Sequence, residues 1–174
     1  MARKTIVFLS LICMTAFVFG GVTVGEKPAE LIMDGRDGGR VDRTPWSSSE
    51  LRDKVWCLFY VDPDVSDLNE AAEDSLDVRD YSAEELKTVA VINMDAAKLP
   101  KFAISIVLKN KQKQYPGTIY VKDNKRVFVE KWGLTDDTYC TLVFNKEGKL
   151  IYRKDGQMSE SDIVEYLAVI EAAL

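Results

Sequence analysis

Seven consecutive apolar residues, Val55-Trp-Cys-Leu-Phe-Tyr-Val61, run into the polar stretch Asp62-Pro-Asp-Val-Ser-Asp67. A half-buried strand alternates apolar and polar residues, whereas a run that is apolar throughout must be covered on both faces. Such a run is short for a buried helix and suits an interior strand. The chain is therefore expected to build a sheet between helices, and its 174 residues suffice for one domain with a sizeable core.

The pattern on either side completes the expectation. Ser66 suits a helix N-cap, with Asp67 and Glu70 at the positive end and Leu68, Ala71, Ala72 and Leu76 as the inner face. Ser82-Ala-Glu-Glu-Leu86 reads as a short helical piece, and Thr88–Met94 as a second strand. Over residues 96–114, Leu99, Phe102, Ala103, Ile106 and Val107 recur at helical spacing, and Pro100 sits near the start, where it costs least. Tyr115-Pro-Gly117 ends that helix. Thr118–Val121 then reads as a strand and Arg126–Leu134 as a short helix. Thr138–Phe144 and Lys149–Lys154 flank Asn145-Lys-Glu-Gly148, a hairpin signal. Ser159, with Asp162 three residues on, caps a last helix whose stripe is Ile163, Tyr166, Leu167, Ile170 and Leu174. Upstream, residues 26–50 are polar, glycine-rich turn material, with Ser47 and Glu50 spaced as a helix start. Parallel crossovers followed by a hairpin and a closing helix predict an α/β sandwich: a mixed central sheet, an antiparallel C-terminal hairpin and helices on both faces.

The amino terminus reads separately. Met-Ala-Arg-Lys4 precedes an uncharged stretch, Thr5–Val24, in the manner of a secretory leader. Residues 1–25 are read as a signal peptide with cleavage near 20–25, Val18-Phe-Gly20 fitting best, and residues 26–174 as the domain. The alternative is an uncleaved inner-membrane anchor, since a bilayer takes about 20 uncharged residues to span. Either way the domain is expected outside the cytoplasm. Without residues 1–20 the chain holds 21 basic and 28 acidic residues, a net charge of −7. That opposes nucleic-acid binding, which needs clustered positive charge. Lys109-Asn-Lys-Gln-Lys113, the longest basic run, reads as a solvated helix end.

The absence of histidine removes Ser-His-Asp and Cys-His catalysis and the usual zinc and haem ligand sets. The cysteines are Cys13, Cys57 and Cys140, and no Cys-x-x-Cys occurs. Cys57 reads as a small core residue. Set on neighbouring strands, Cys57 and Cys140 are expected about 15 Å apart, beyond the roughly 7 Å between α-carbons that a disulfide allows. Asp62, Asp64, Ser66, Glu70 and Glu73 fall at positions one, three, five, nine and twelve of a calcium-loop template. Asp67 stands where that loop needs glycine, Pro63 interrupts its start and a strand precedes it, so a turn with an acidic helix start is the competing reading. Trp46, Trp56 and Trp132 read as core residues.

The element order, with Phe59-Tyr-Val-Asp-Pro-Asp-Val-Ser-Asp67 at the first strand–helix junction, resembles the thioredoxin-like fold. Tyr115-Pro-Gly-Thr-Ile-Tyr-Val-Lys-Asp123 through Trp132-Gly-Leu134 is similar to the insertion of peroxiredoxins and periplasmic thiol reductases, and Cys140-Thr-Leu-Val-Phe-Asn-Lys-Glu-Gly148 to the following hairpin. Trp46-Ser-Ser-Ser-Glu-Leu51, Asp53-Lys-Val55, Tyr115–Pro116, Lys131–Trp132 and Lys154-Asp-Gly156 resemble the YtfJ family of bacterial periplasmic proteins over about residues 28–174. The resemblance implies an exported three-layer sandwich in which Asp64-Val-Ser-Asp67 stands at the redox pair and Cys140 at the cis-proline. Carboxylates cannot exchange a disulfide, which needs a thiolate. The implied function is a non-catalytic binding or accessory module for a periplasmic protein or peptide, needing no cofactor. Its surface would be formed by Asp62, Asp64, Asp67, Tyr139 and Cys140 beside the Gly133–Thr138 loop. Membrane contact would require an uncleaved leader. The alternative is a thiol-dependent reductase or peroxidase acting through Cys140 alone.

Overall fold

The computed structural model describes residues 21–174. Of the leader assigned to residues 1–25, residues 1–20 lie outside them. Residues 21–25 are held against the domain: the Val22 amide donates to Trp132 O (2.8 Å) and the Gly25 amide to Leu150 O (2.7 Å).

Val55–Val61 forms strand β4, buried at all seven positions. Before it come three short strands, β1 (Ile32–Met33), β2 (Gly38–Arg40) and β3 (Trp46–Ser47). After it come α1 (Glu70–Asp77), β5 (Leu86–Asn93), α2 (Lys101–Gln114), β6 (Thr118–Asp123) and α3 (Val127–Trp132). The hairpin β7 (Tyr139–Phe144) and β8 (Leu150–Asp155) and the closing helix α4 (Glu160–Ala173) complete the fold. The main sheet has the order β2-β6-β5-β4-β7-β8, in which β4, β5 and β6 run parallel.

The chain steps from β4 to β5 to β6 in one direction, so right-handed crossovers put α1 and α2 on the same face. Alternation along β4 then divides the interior. Val55, Cys57, Phe59 and Val61 meet α1, α2 and α4 on that face. Trp56, Leu58 and Tyr60 meet Trp46, Phe128 and Trp132 on the other. All three tryptophans are buried.

The expected strands recur within about two residues at each end, and the Ser159–Asp162 capping box starts α4. Tyr166, Leu167 and Ile170 are buried, while Ile163 and Leu174 pack at the core's edge. Ser47 and Glu50 likewise form a capping box, on a single 3-10 turn.

Four expectations are corrected. Residues 26–50 are not turn material alone: β1 pairs with β3, and β2 joins β6 as the edge of the main sheet. β2 escapes a propensity reading because it contains two glycines. A Cβ at Gly38 would lie 1.8 Å from Lys122 O, and its φ of +145° suits glycine, so only this residue permits the approach. Second, Ser66 is not a helix N-cap but closes the turn that precedes α1. Pro63–Val65 forms a 3-10 turn, and α1 begins later, behind Asn69. Ala72 and Leu76 face inward, Leu68 packs at the edge and Ala71 is exposed. Third, residues 82–85 form one turn, closed by the Glu85 amide on Ser82 O (3.0 Å), and Leu86 already belongs to β5.

The fourth correction concerns α2. Its buried residues are Ile104 and Leu108, while Leu99, Phe102, Ile106 and Val107 are exposed. Gln112, one further turn along the inward line, fixes the rotation. Its amide donates to Thr118 O (2.8 Å) and accepts from the Tyr120 amide (3.3 Å). Two backbone groups of β6 are satisfied only if Ile104, Leu108 and Gln112 face the sheet.

Candidate functional site

The elbow after β4 is built by its own carboxylates. The Asp62 amide donates to Thr138 O (2.9 Å), tying it to the start of β7. The Asp62 side chain accepts from the Asp64 amide (2.9 Å) and caps the 3-10 turn, whose first residue, Pro63, has no amide hydrogen to satisfy. Asp64 accepts from the Lys98 amide (3.2 Å), with the Lys98 ammonium 3.6 Å away. Asn69, buried and not anticipated, donates to Gly156 O (3.1 Å) and accepts from the Met158 amide (2.8 Å). It clips the elbow to the approach of α4. Ser66, Asp67 and Glu70 are exposed.

Glu73 turns the other way, into the sheet, and accepts a hydrogen bond from the Tyr139 hydroxyl (2.7 Å). Burial pushes its carboxyl above the ordinary range, against the opposing pull of that bond. The five residues at calcium-template positions thus do not converge. Among the described residues there is no group of three or more acidic or cysteine side chains that could hold a metal ion.

Tyr139 and Cys140 are adjacent on β7 and so point to opposite faces. Tyr139 packs on Phe59, with ring centroids 5.7 Å apart. Cys140 lies among the residues of the second core, its thiol 3.5 Å from Thr135 O. Thr135 donates to Asp155 (2.5 Å), and Arg153 bridges Asp155 (2.7 Å) and Gly133 O (2.9 Å). The expected surface of Asp62, Asp64, Asp67, Tyr139 and Cys140 is therefore not one surface. Two of its members are buried on different sides of the sheet.

Burial, reinforced by Asp155, pushes the Cys140 thiol up to about 12. Burial does the same to Cys57, which accepts from the Tyr166 hydroxyl (3.3 Å). Strand pairing sets Cys57 opposite Val143 and Cys140 opposite Tyr60. The offset is three residues, about 10 Å along the strand rather than 15 Å. It is odd, so the thiols also face apart, and both are free.

Two further buried polar residues end the parallel strands. Asp123 accepts from the Val127 (2.9 Å) and Phe128 (3.0 Å) amides and caps α3, with the Tyr60 hydroxyl 3.4 Å away. Burial raises its pKa, and these donors oppose the shift. Asn93 donates to Asp136 (2.7 Å), which Arg126 also meets (2.9 Å). No local capping pattern marks Asp123, because it stands three residues ahead of the N-cap position, Arg126, and reaches the helix start from the end of β6. These groups are satisfied internally and serve as scaffold.

Beside the elbow, an open groove of about 440 Å³ separates α1 from α2. Phe59, Ala90, Ile92 and Tyr120 form its floor, and Tyr139 and Glu73 stand at one side. The groove was hidden from sequence reading because the apolar line of α2 that borders it was assigned to the core. Chemically, the region offers carboxylates, an apolar floor and no accessible thiol or imidazole, an arrangement suited to binding.

Parallel β4, β5 and β6, an elbow leading into α1, and an antiparallel hairpin with a closing helix define a thioredoxin-like protein. Solved structures agree. The exposed lipoprotein thioredoxin Etrx1 of Streptococcus pneumoniae superposes with a TM-score of 0.56 at 18% identity, covering 80% of this chain and 98% of that one. A peroxiredoxin-like protein of Aquifex aeolicus gives 0.58 at 14% identity, covering 86% and 88%. At such identities the likeness speaks for the fold alone. The family model described as "Bacterial protein of unknown function (YtfJ_HI0045)" matches residues 20–173, and the chain belongs to that family. A relative from Haemophilus influenzae, an uncharacterized protein, is 26% identical over 145 residues, or 81% of this chain and 77% of the relative.

Proposed function

We propose that this protein is an exported binding or accessory module of the bacterial periplasm, a thioredoxin-like fold without electron-exchange chemistry that engages a protein or peptide. The observation that carries the reading is the state of the one thiol beside the elbow. Cys140 is buried, and its thiol is pushed up to about 12. Burial thus holds the thiol in its protonated form near neutral pH, and the thiolate is the reactive form. The elbow itself holds Asp62, Asp64 and Asp67, whose side chains cannot take part in disulfide exchange.

Export is supported by the leader-like first 25 residues. The bonds made by Val22 and Gly25 favour processing at Gly20, which keeps them, over cleavage after Gly25, which removes them. Among the described residues no helix is long and apolar enough to cross a membrane, so an anchored form would rely on an uncleaved leader.

The test is turnover. Purified wild type and Cys140→Ser are assayed for disulfide reduction and for peroxide reduction with a dithiol donor. Neither protein is expected to exceed the uncatalysed rate. Turnover by wild type that disappears in Cys140→Ser would establish the thiol-dependent enzyme instead.

A further inference from the structure

The outer surface of α2 is at odds with its position in a soluble domain. Phe102 is 71% exposed, Leu99 59%, Ile106 57% and Val107 52%. Leu99 lies just ahead of α2, and Phe102, Ile106 and Val107 follow at spacings of three, four and one, so they form an apolar band instead of scattered single residues. Such bands mark interaction sites. Leu99, Ala103 and Val107 form the α2 wall of the groove, so band and groove are one surface.

The facing wall is acidic. Asp67, Glu70, Glu73, Asp74 and Asp77 line it, and none forms a salt bridge among the described residues. Lys111 is the single basic side chain among those lining the groove. An apolar floor between an apolar wall and an acidic wall that Lys111 offsets in part favours one kind of occupant.

We propose that the groove between α1 and α2 docks an amphipathic polypeptide segment, its apolar side chains seated against Leu99, Ala103 and Val107 and its lysines or arginines against Glu70, Glu73 and Asp74. The proposal deepens the accessory-module reading, on which it rests, by naming the site and the partner's chemistry. A polypeptide is favoured over a small amine because the band continues through Phe102 and Ile106 beyond the groove. A segment is long enough to cover both. A cation beside Glu73 would also stabilise the carboxylate that burial now disfavours.

The test uses the full chain and two fluorescein-labelled helical peptides of the same design, one of leucine and lysine, the other with glutamate for every lysine. Fluorescence anisotropy is expected to show binding of the lysine peptide alone. Ala103→Trp, which fills the groove, and Glu73→Gln, which keeps an acceptor for Tyr139 but removes the charge, should each weaken binding by about tenfold or more. Val107→Lys, at an exposed position that tolerates charge, reads the same surface should Ala103→Trp perturb the near-ultraviolet circular dichroism. No binding, equal binding of both peptides, or binding unaffected by Val107→Lys and Glu73→Gln would overturn the proposal. Any of these outcomes leaves the turnover test of Cys140 to judge the broader reading separately.

Discussion

At the scale of single residues, Glu73 distinguishes itself from the other acids of the elbow by where its carboxylate lies. Asp62 and Asp64 cap backbone amides, whereas Glu73 is drawn into the groove by the Tyr139 hydroxyl, in surroundings that raise its pKa above 4.5. With the folded pKa above the unfolded one, its contribution to stability is complete below pH 4.5. The contribution is lost as pH rises through the higher folded value. Glu73→Gln is therefore expected to be more stable than wild type in urea titrations at pH 7, with the difference vanishing near pH 4. A variant less stable than wild type at pH 7 would mean that the fold favours the Glu73 carboxylate over its neutral form, against the direction that burial imposes. The amino-acid order showed that the elbow is acidic. It did not show which acid faces inward, because that depends on Tyr139 arriving from a strand 66 residues away.

Among the elements, α2 gives the clearest contrast between pattern and packing. Three of the five large apolar residues of this helix, Phe102, Ile106 and Val107, face solvent, and the contacts of Gln112 with β6 decide which residues face the sheet. Ile104→Ala should then lower the unfolding free energy by about 2–4 kcal/mol, as expected for a core truncation. Phe102→Ser should change it by no more than about 0.5 kcal/mol, as expected for an exposed site. Chemical denaturation of the two variants checks both, and the reverse ranking would restore the inner face read from periodicity. Other elements were legible because their signals are local. The box at Ser159 and Asp162 begins α4, and Asn145–Gly148 turns the hairpin. β2 was not legible, since its glycines are explained only by the carbonyl of Lys122 across the pairing.

For the whole molecule, one sheet separates two cores, and β4 contributes side chains to both. The tryptophans all report on the second core, while Cys57 lies in the first. Because the two share the central strand, they should be lost in a single transition. In guanidinium chloride, the midpoint of tryptophan emission is expected to coincide with the midpoint of Cys57 alkylation followed by mass spectrometry. Earlier alkylation of Cys57 would show that the layer of α1, α2 and α4 detaches first.

The layered architecture was legible in the order of residues alone. A strand apolar on both faces, two helical crossovers and a terminal hairpin admit few other arrangements, and a chain without histidine lacks Ser-His-Asp and Cys-His catalysis and the usual zinc and haem ligand sets. Orientation came only with packing: Tyr139 toward the α1–α2 groove, Cys140 into the opposite core, and the apolar band of α2 outward. Each choice is made by partners distant in the chain, since strand alternation and helix rotation are fixed only when the sheet's backbone groups find their hydrogen bonds.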